Sequence, residues 1–473
     1  MAKVSHRYED WSSYMTEVPA DIPDFAVQRR NWKDVFGLAW PMTLKAIMLH
    51  GTVVIDAYLV SSLGEASLAA MGLAAAIAGF ILGVILAFSN AMQIRTAQAF
   101  GTKDPVFMKS TLILGLIVSL GLGGIGVVIL AMFGGSLIDA MAPTVGMANL
   151  AKGYLAVFSI VILGEAVGQC LSSYFNGCGR TRLPLYSFCL SLPINVIASV
   201  ILIHGYWGLP AFGVTGAAMG SAIAICVQVV FLAFQLARLD GHLARVKGWR
   251  QSTFAQTVYR HISFSLPIAA TFISSTFAAH VCTLIYAKLA LNAFAAMTLI
   301  GPWIMIAGTI GMQWAQATGI IVAQLLGQKP PTDVLDRFLS SAWRGAFVAA
   351  AIVAFIYLLI CVSANAIYSD LSVETRTILL GFLPILLALP FPKQSNAICG
   401  NTLRASGDTI YVMHIFIWSQ WLFRVPATAL AVLYFNVPVF WVLSLLFAEE
   451  LIKFPLFHQR LYQGYWKQAQ VAA

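Results

Sequence analysis

The chain has 473 residues, of which 59% are hydrophobic and only 10% charged, and it carries a formal net charge of +9. A water-soluble domain would need about a quarter of its residues charged, so so few charges exclude one. The mean hydropathy of +0.82 makes the lipid bilayer the solvent for most of the chain, with length counted in spans of roughly 20 apolar residues.

The first 34 residues are polar and mixed in charge, lack the short apolar core of a signal peptide, and read as a cytoplasmic tail. Apolar segments follow near 35–60, 68–99, 108–133, 148–176, 183–203, 213–237, 259–289, 293–324, 338–362, 375–400, 409–435 and 437–457, numbered here as spans 1 to 12. Several are long enough to tilt or kink. Lipid offers no partner to a backbone N–H or C=O, so each must be a helix. The expected fold is an all-α integral membrane protein with twelve transmembrane helices.

Basic residues sort by loop. Arg29, Arg30 and Lys33 precede span 1, and Lys103 and Lys109 separate spans 2 and 3. Arg180 and Arg182 follow span 4, and Arg238, Arg245, Lys247, Arg250 and Arg260 surround the link between spans 6 and 7. Lys329 and Arg337 follow span 8, Arg404 follows span 10, and Arg460 and Lys467 follow span 12. The opposite loops carry Lys152, Lys288 and Arg376. The positive-inside rule then puts both termini in the cytoplasm of a plasma (inner) membrane protein. The basic excess is a topology signal and does not call for nucleic acid. The seven cysteines are scattered without metal spacing and read as reduced core residues.

Spans 1–2 and 7–8 share a pattern at an offset of 226 residues. Pro41 matches Pro267, Leu68 to Met71 match Phe294 to Met297, and Ala97-Gln98 matches Ala323-Gln324. Gly101, Lys103 and Pro105 match Gly327, Lys329 and Pro331. At an offset of 228, Gly177 to Thr181 match Ala405 to Thr409. Six spans per half give both repeats the same orientation, so the halves are two pseudosymmetric six-helix lobes, an architecture of transporters with the substrate site between the repeats. The expected division is a tail 1–34, an N-lobe 35–237, a cytoplasmic linker 238–258, a C-lobe 259–457 and a cytoplasmic tail 458–473.

The order of these motifs resembles the multidrug and toxic compound extrusion (MATE) family, bacterial type, over roughly residues 33–460. The resemblance rests on Pro41 followed by Asp56, Gln98 to Gly101, and Gly177-x-Gly179-x-Thr181-x-x-Pro184. It also rests on Asn195 and on Gly213 to Ala218 opening span 6. It implies a V-shaped secondary transporter that alternates between outward- and inward-facing states and exports organic compounds in exchange for H⁺ or Na⁺. By the same resemblance Asp56 and Asn195 belong to a coupling-cation site, in which Ser199 is also expected, and Pro41 bends the first helix. Ser199 stands where many relatives place an Asp, Ser274 and Ser275 where one branch has a Glu, and Lys393 where others carry an acid. This minimal acid set favours H⁺, with Na⁺ at Asp56 left open.

An ionisable side chain at bilayer depth costs roughly 2.5–3.5 kcal/mol and marks function by default. Those singled out within the spans are Lys45, Asp56, Arg95, Glu165, Lys393, Arg424, Glu449, Glu450 and Lys453. Lys45, Thr52 and Asp56 fall within about 40° on one face, with Lys45 and Asp56 about 16 Å apart along the axis. Asp56 is the first candidate for proton coupling, since protonation removes its charge and lets span 1 repack. Glu165 shares a stripe with Gln169, Ser172 and Asn176, and its pseudosymmetric counterpart is Lys393. The two either face each other across a cavity or lock the lobes. Arg95 and Arg424 either line the cavity or snorkel toward the membrane edge. Glu449 and Lys453 read as a structural pair near the cytoplasmic end. The expected substrate cavity comprises Lys45, Thr52, Glu165, Gln169, Ser275, Gln313, Gln316 and Lys393. Its cations leave open an anionic or zwitterionic substrate such as a siderophore, or a lipid-linked saccharide flipped across the bilayer. No HExxH, GxSxG or P-loop pattern occurs, so no catalytic residue, cofactor or firm metal site is assigned. The expected partners are a small organic molecule and the bilayer, and the expected state is a monomer.

Overall fold

A computed structural model describes residues 30–249, 253–364 and 371–468. Arg29 and Arg250 of the expected basic face, residues 1–29 of the expected tail and the last five residues lie outside the described residues.

The described chain is helical throughout its spans. In order these are α1 (Trp32–Ser61), α2 (Glu65–Thr102), α3 (Pro105–Met141), α4 (Val145–Gly177), α5 (Arg182–His204) and α6 (Val214–Asp240). The second set is α7 (Phe254–Tyr286), α8 (Leu291–Gln328), α9 (Thr332–Val362), α10 (Val373–Ala388 with Pro390–Ser406), α11 (Thr409–Tyr434) and α12 (Val439–Tyr462). Ten are long and apolar enough to cross a bilayer, and α10 adds another as a pair bent by 40°. The last, α12, carries Glu449, Glu450 and Lys453 in its middle, which lowers its apolarity although its length suffices. The twelve-helix expectation is met.

Helix ends follow local chemistry. Asn31 opens α1, its side chain accepting from Lys33 N at 2.9 Å while Asp34 accepts from Asn31 N at 2.6 Å, a reciprocal cap. Asp104 accepts from Val106 N and Phe107 N, and Pro105 supplies the first helical residue of α3. The repeat extends to the backbone: Lys103 and Lys329 close α2 and α8 in the same left-handed conformation, at φ 54° and 52°. The linker is narrower than expected, since α6 runs to Asp240 and α7 begins at Phe254. Both α3 and α11 contain π-helical turns, at Leu130–Gly134, Ser419–Arg424 and Leu430–Tyr434, a form that recurs where spans deviate for function.

Helices α1–α6 and α7–α12 form the two lobes. Separate apolar cores fill them, one around Ile85, Tyr154 and Ile162, another around Tyr357, Phe382 and Leu386. A third core joins the lobes. It gathers Val35, Ala39 and Ala97 with Ile320, Leu326, Leu403, Leu461 and Trp466. It therefore sits where α1 begins and α2, α8, α10 and α12 end, so the described chain starts and finishes at the end where the lobes meet.

Candidate functional site

Helices α1 and α5 run parallel in one register. The Arg182 guanidinium stands over the Trp40 ring at 6.0 Å, and Ser62 Oγ meets His204 Nε2 at 3.3 Å. Both pairs are 142 residues apart, which places Asp56 level with residue 198, between Asn195 and Ser199. Three oxygens at this level are buried without a hydrogen-bond partner: Asp56 Oδ1, Asn195 Oδ1 and Ser199 Oγ. Asn195 spends its amide on Ser221 Oγ at 3.1 Å, so its carbonyl oxygen remains. Ser199 lies against Gly220 of α6, where an added Cβ would collide with its hydroxyl. The charge of Asp56 also acts on Tyr154 of α4. Buried polar atoms are almost always paired, so three orphans at one level make this the candidate polar site of the N-lobe.

Deeper in the same lobe lie Lys45 and Glu165. Each is the charged group that acts on the other. Lys45 Nζ donates to Ser172 Oγ at 3.0 Å, and Gln169 Nε2 donates to Glu165 Oε2 at 3.0 Å. Glu165 thus has Lys45 of its own lobe as its electrostatic partner, without a direct ion pair between the two, and neither Glu165 nor Lys393 acts on the other. Lys393 instead answers to α12 and α11.

In the C-lobe, Lys453 bridges Glu449 Oε1 at 3.0 Å and Glu450 Oε1 at 2.8 Å. Arg424 Nη1 reaches Glu449 Oε2 at 3.4 Å, and Asn396 Nδ2 donates to Glu450 Oε2 at 2.9 Å. Glu449, Glu450 and Lys453 are all buried. The Glu449–Lys453 pair therefore lies inside the lobe at mid-helix and not at its edge, because the second acid and Arg424 make a network that can be buried. Arg424 is held inside by Glu449 and does not snorkel. Arg95 packs over the rings of Phe107 and Phe264 at 5.2 and 5.1 Å, so the two arginines use different stabilising partners. Arg404, expected in a solvated loop, is only 6% exposed and stands over Phe272 and Phe416, each at 5.5 Å. It corrects the loop reading: α10 continues to Ser406, and the aromatic faces replace water around the guanidinium.

The other expected cavity residues divide. Ser275 Oγ accepts from Gln420 Nε2 at 2.9 Å and donates to Thr271 O, which uses it in C-lobe packing. Thr52 donates to its own helix at Met48 O. Gln313 and Gln316 are half-buried on α8, and Pro41 is buried within an unbroken α1.

One arrangement escaped the sequence reading. Gln98 Nε2 of α2 donates to Ala405 O at 2.9 Å, and Gln324 Nε2 of α8 donates to Gly177 O at 2.8 Å. Gln98 and Gln324 are repeat mates, and so are Gly177 and Ala405. Each lobe therefore caps the last carbonyls of a helix in the other, groups that a helix cannot satisfy itself. Gly327 lies where an added Cβ would meet Gln98 O at 2.8 Å, and Gly101 similarly abuts Gln324 O, so glycine permits this approach. The repeat was visible in sequence, but the crossing of partners between lobes was not.

Two stretches, residues 41–201 and 267–430, each match the MatE family pattern. The chain belongs to the MatE family. The two matches begin 226 residues apart, the offset of the internal repeat. Among curated proteins the chain is similar to the probable multidrug resistance protein NorM of Rhodopseudomonas palustris, 23% identical over 420 residues and covering 82% of each chain. Among solved structures it is similar to a MATE protein in the bent conformation, with a TM-score of 0.79, 18% identity and coverage of 92% of this chain and 97% of that one. It is also similar to the outward-facing conformation of a multidrug resistance MATE transporter, with a TM-score of 0.80, 19% identity and coverage of 92% and 97%. These structural likenesses bear on the fold alone.

Proposed function

We propose that this MatE protein is a cation-coupled antiporter that exports organic compounds by alternating access, with Asp56 as the carrier of the coupling cation. The observation that carries this reading is the buried, unpartnered Asp56 Oδ1 at the level of the equally unpartnered Asn195 Oδ1 and Ser199 Oγ. A proton needs one carboxylate oxygen; it neutralises the charge and removes the reason for α1 to keep this packing. H⁺ is the preferred ion because Asp56 supplies the one carboxylate among these three unpartnered oxygens. The amide and hydroxyl oxygens complete a polar pocket in which Na⁺ would compete.

Exchange of states requires one end of the interlobe space to shut while the other opens. The glutamine contacts, the glycine approaches and the shared apolar core shut the end that carries both termini. The basic residues of that end make it cytoplasmic in a bacterial inner membrane, so the arrangement corresponds to an outward-open protein. The names of the multidrug resistance relatives support organic molecules as cargo. Expression in a bacterial strain stripped of its own efflux pumps tests this. Wild type is expected to raise resistance to organic toxicants, and Asp56→Asn to lose that resistance at equal membrane abundance. An Asp56→Asn variant as protective as wild type overturns the assignment of Asp56.

A further inference from the structure

Lys393 sits at mid-span of α10, is exposed, and its ammonium donates no hydrogen bond among the described residues. Its direction follows from its helix. Gln394 and Asn401 turn to α8, Ser395 to α9 and α12, and Asn396 to Glu450 of α12. Arg404, eleven residues on and about 20° around the helix from Lys393, stands over Phe272 of α7 and Phe416 of α11. The face that Lys393 shares with Arg404 therefore looks into the lobe, toward α7, α11 and α12, and not into lipid. Exposure on that face means open space beside the Lys393 side chain.

The neighbouring charges do not neutralise it. Glu449 and Glu450 act on Lys393 together with Lys453 and Arg424. All four carboxylate oxygens of the two acids are already engaged by Lys453, Arg424, Ser419 and Asn396. Three cations face two carboxylates, and one positive charge is left over. The N-lobe shows the contrast. There Glu165 faces Lys45, and the pair is neutral. The repeat offsets map Glu165 onto Lys393 and Lys45 onto Thr271, whose hydroxyl donates to Pro267 O at 2.9 Å. In the C-lobe the acid has become a base and its partner a neutral hydroxyl.

We infer that Lys393 is an anion-recognition point of the C-lobe, and that the transported organic solute presents it with a carboxylate, sulfonate or phosphate group. The inference rests on the exporter reading only for the word transported; binding stands apart from it. A mid-membrane ammonium with space on its open side and no carboxylate oxygen to spare is satisfied by an incoming anion, which gains a charge-assisted hydrogen bond. Along the same face Phe272 and Phe416 stand against Arg404, and Phe416 also against Lys453, apolar surface that suits an amphiphilic anion or a zwitterion more than a small inorganic ion.

The test uses the full-length protein in detergent, titrated with an anionic xanthene dye and, separately, with a cationic phenanthridinium dye. Lys393→Met is expected to weaken anionic-dye binding about tenfold or more and to leave the cationic dye no weaker. Lys393→Arg is expected to retain anion binding, and Lys393→Glu to favour the cation. Thermal melting confirms that each variant is folded, which the lack of a Lys393 hydrogen bond makes the expected result. Absence of anion binding by wild type, or anion binding unchanged in folded Lys393→Met, overturns the inference. Dye movement in proteoliposomes separates the two readings. Lys393-dependent binding without gradient-driven transport sinks the exporter and keeps the anion site, whereas gradient-driven transport indifferent to Lys393 and to dye charge does the reverse.

Discussion

Replacing Gln98 and Gln324 together by leucine keeps the side-chain bulk at the shut end while deleting both crossing hydrogen bonds. The two donors are 3% and 1% exposed and lie 2.9 and 2.8 Å from Ala405 O and Gly177 O. Each carbonyl would be stranded among apolar neighbours, at a cost of about 1–3 kcal/mol. When this end opens, water reaches the carbonyls, so the penalty falls on the shut state alone. Two sites together shift the equilibrium by roughly 2–6 kcal/mol, at least about thirtyfold toward the opposite conformation. Spin labels on cysteines replacing Lys103 and Lys329, with exposed Cys189 and Cys226 removed, would report the lobe separation at this end. The expected result is a longer distance population that is minor in wild type and dominant in the double variant. An unchanged distance distribution in a folded double variant would refute the view that these glutamines hold the lobes together.

Three further outcomes follow from the same geometry. Gly101→Val drives a branched side chain against the Gln324 backbone, and the same spin-label pair should show this end unable to shut, with transport lost. Lys453→Met leaves Glu449 and Glu450 buried without their shared cation; melting in detergent should show destabilisation of about 3–5 kcal/mol. Asp139→Asn removes only the Lys152 bridge, whose side chains are 37% and 55% exposed, and should change stability by no more than about 1 kcal/mol.

Much of the fold was legible because lipid imposes simple rules. Apolar length gave every span, and the repeat gave the lobes, since Pro41 and Pro267 or Lys103 and Lys329 keep one offset down to matching left-handed caps. Motif order singled out Asp56 and Asn195, whose unpartnered oxygens lie at one level, and helix periodicity put Asp56 on one face with Lys45. Partner choice was not legible. Glu165 has Lys45 and Lys393 both within the plausible reach of a two-lobed fold, and only packing decides between them. Arg404 looked like a loop cation because the sequence does not show that Phe272 and Phe416 converge on it from two other helices. Glu449 and Lys453 looked peripheral because α12 extends to Tyr462, which moves them to mid-helix. The glutamine crossing was hidden for a similar reason: a repeat tells which residues are equivalent, whereas domain symmetry decides that each meets the other's neighbour.

The most direct measurement is dye efflux from proteoliposomes under an imposed pH gradient, with and without Na⁺, for wild type and Asp56→Asn, using both the anionic and the cationic dye. The expected result is efflux by wild type that follows the pH gradient without needing Na⁺, and none above the protein-free rate in Asp56→Asn. Efflux of equal rate in the variant, or efflux by wild type that ignores the gradient, would contradict coupling through Asp56.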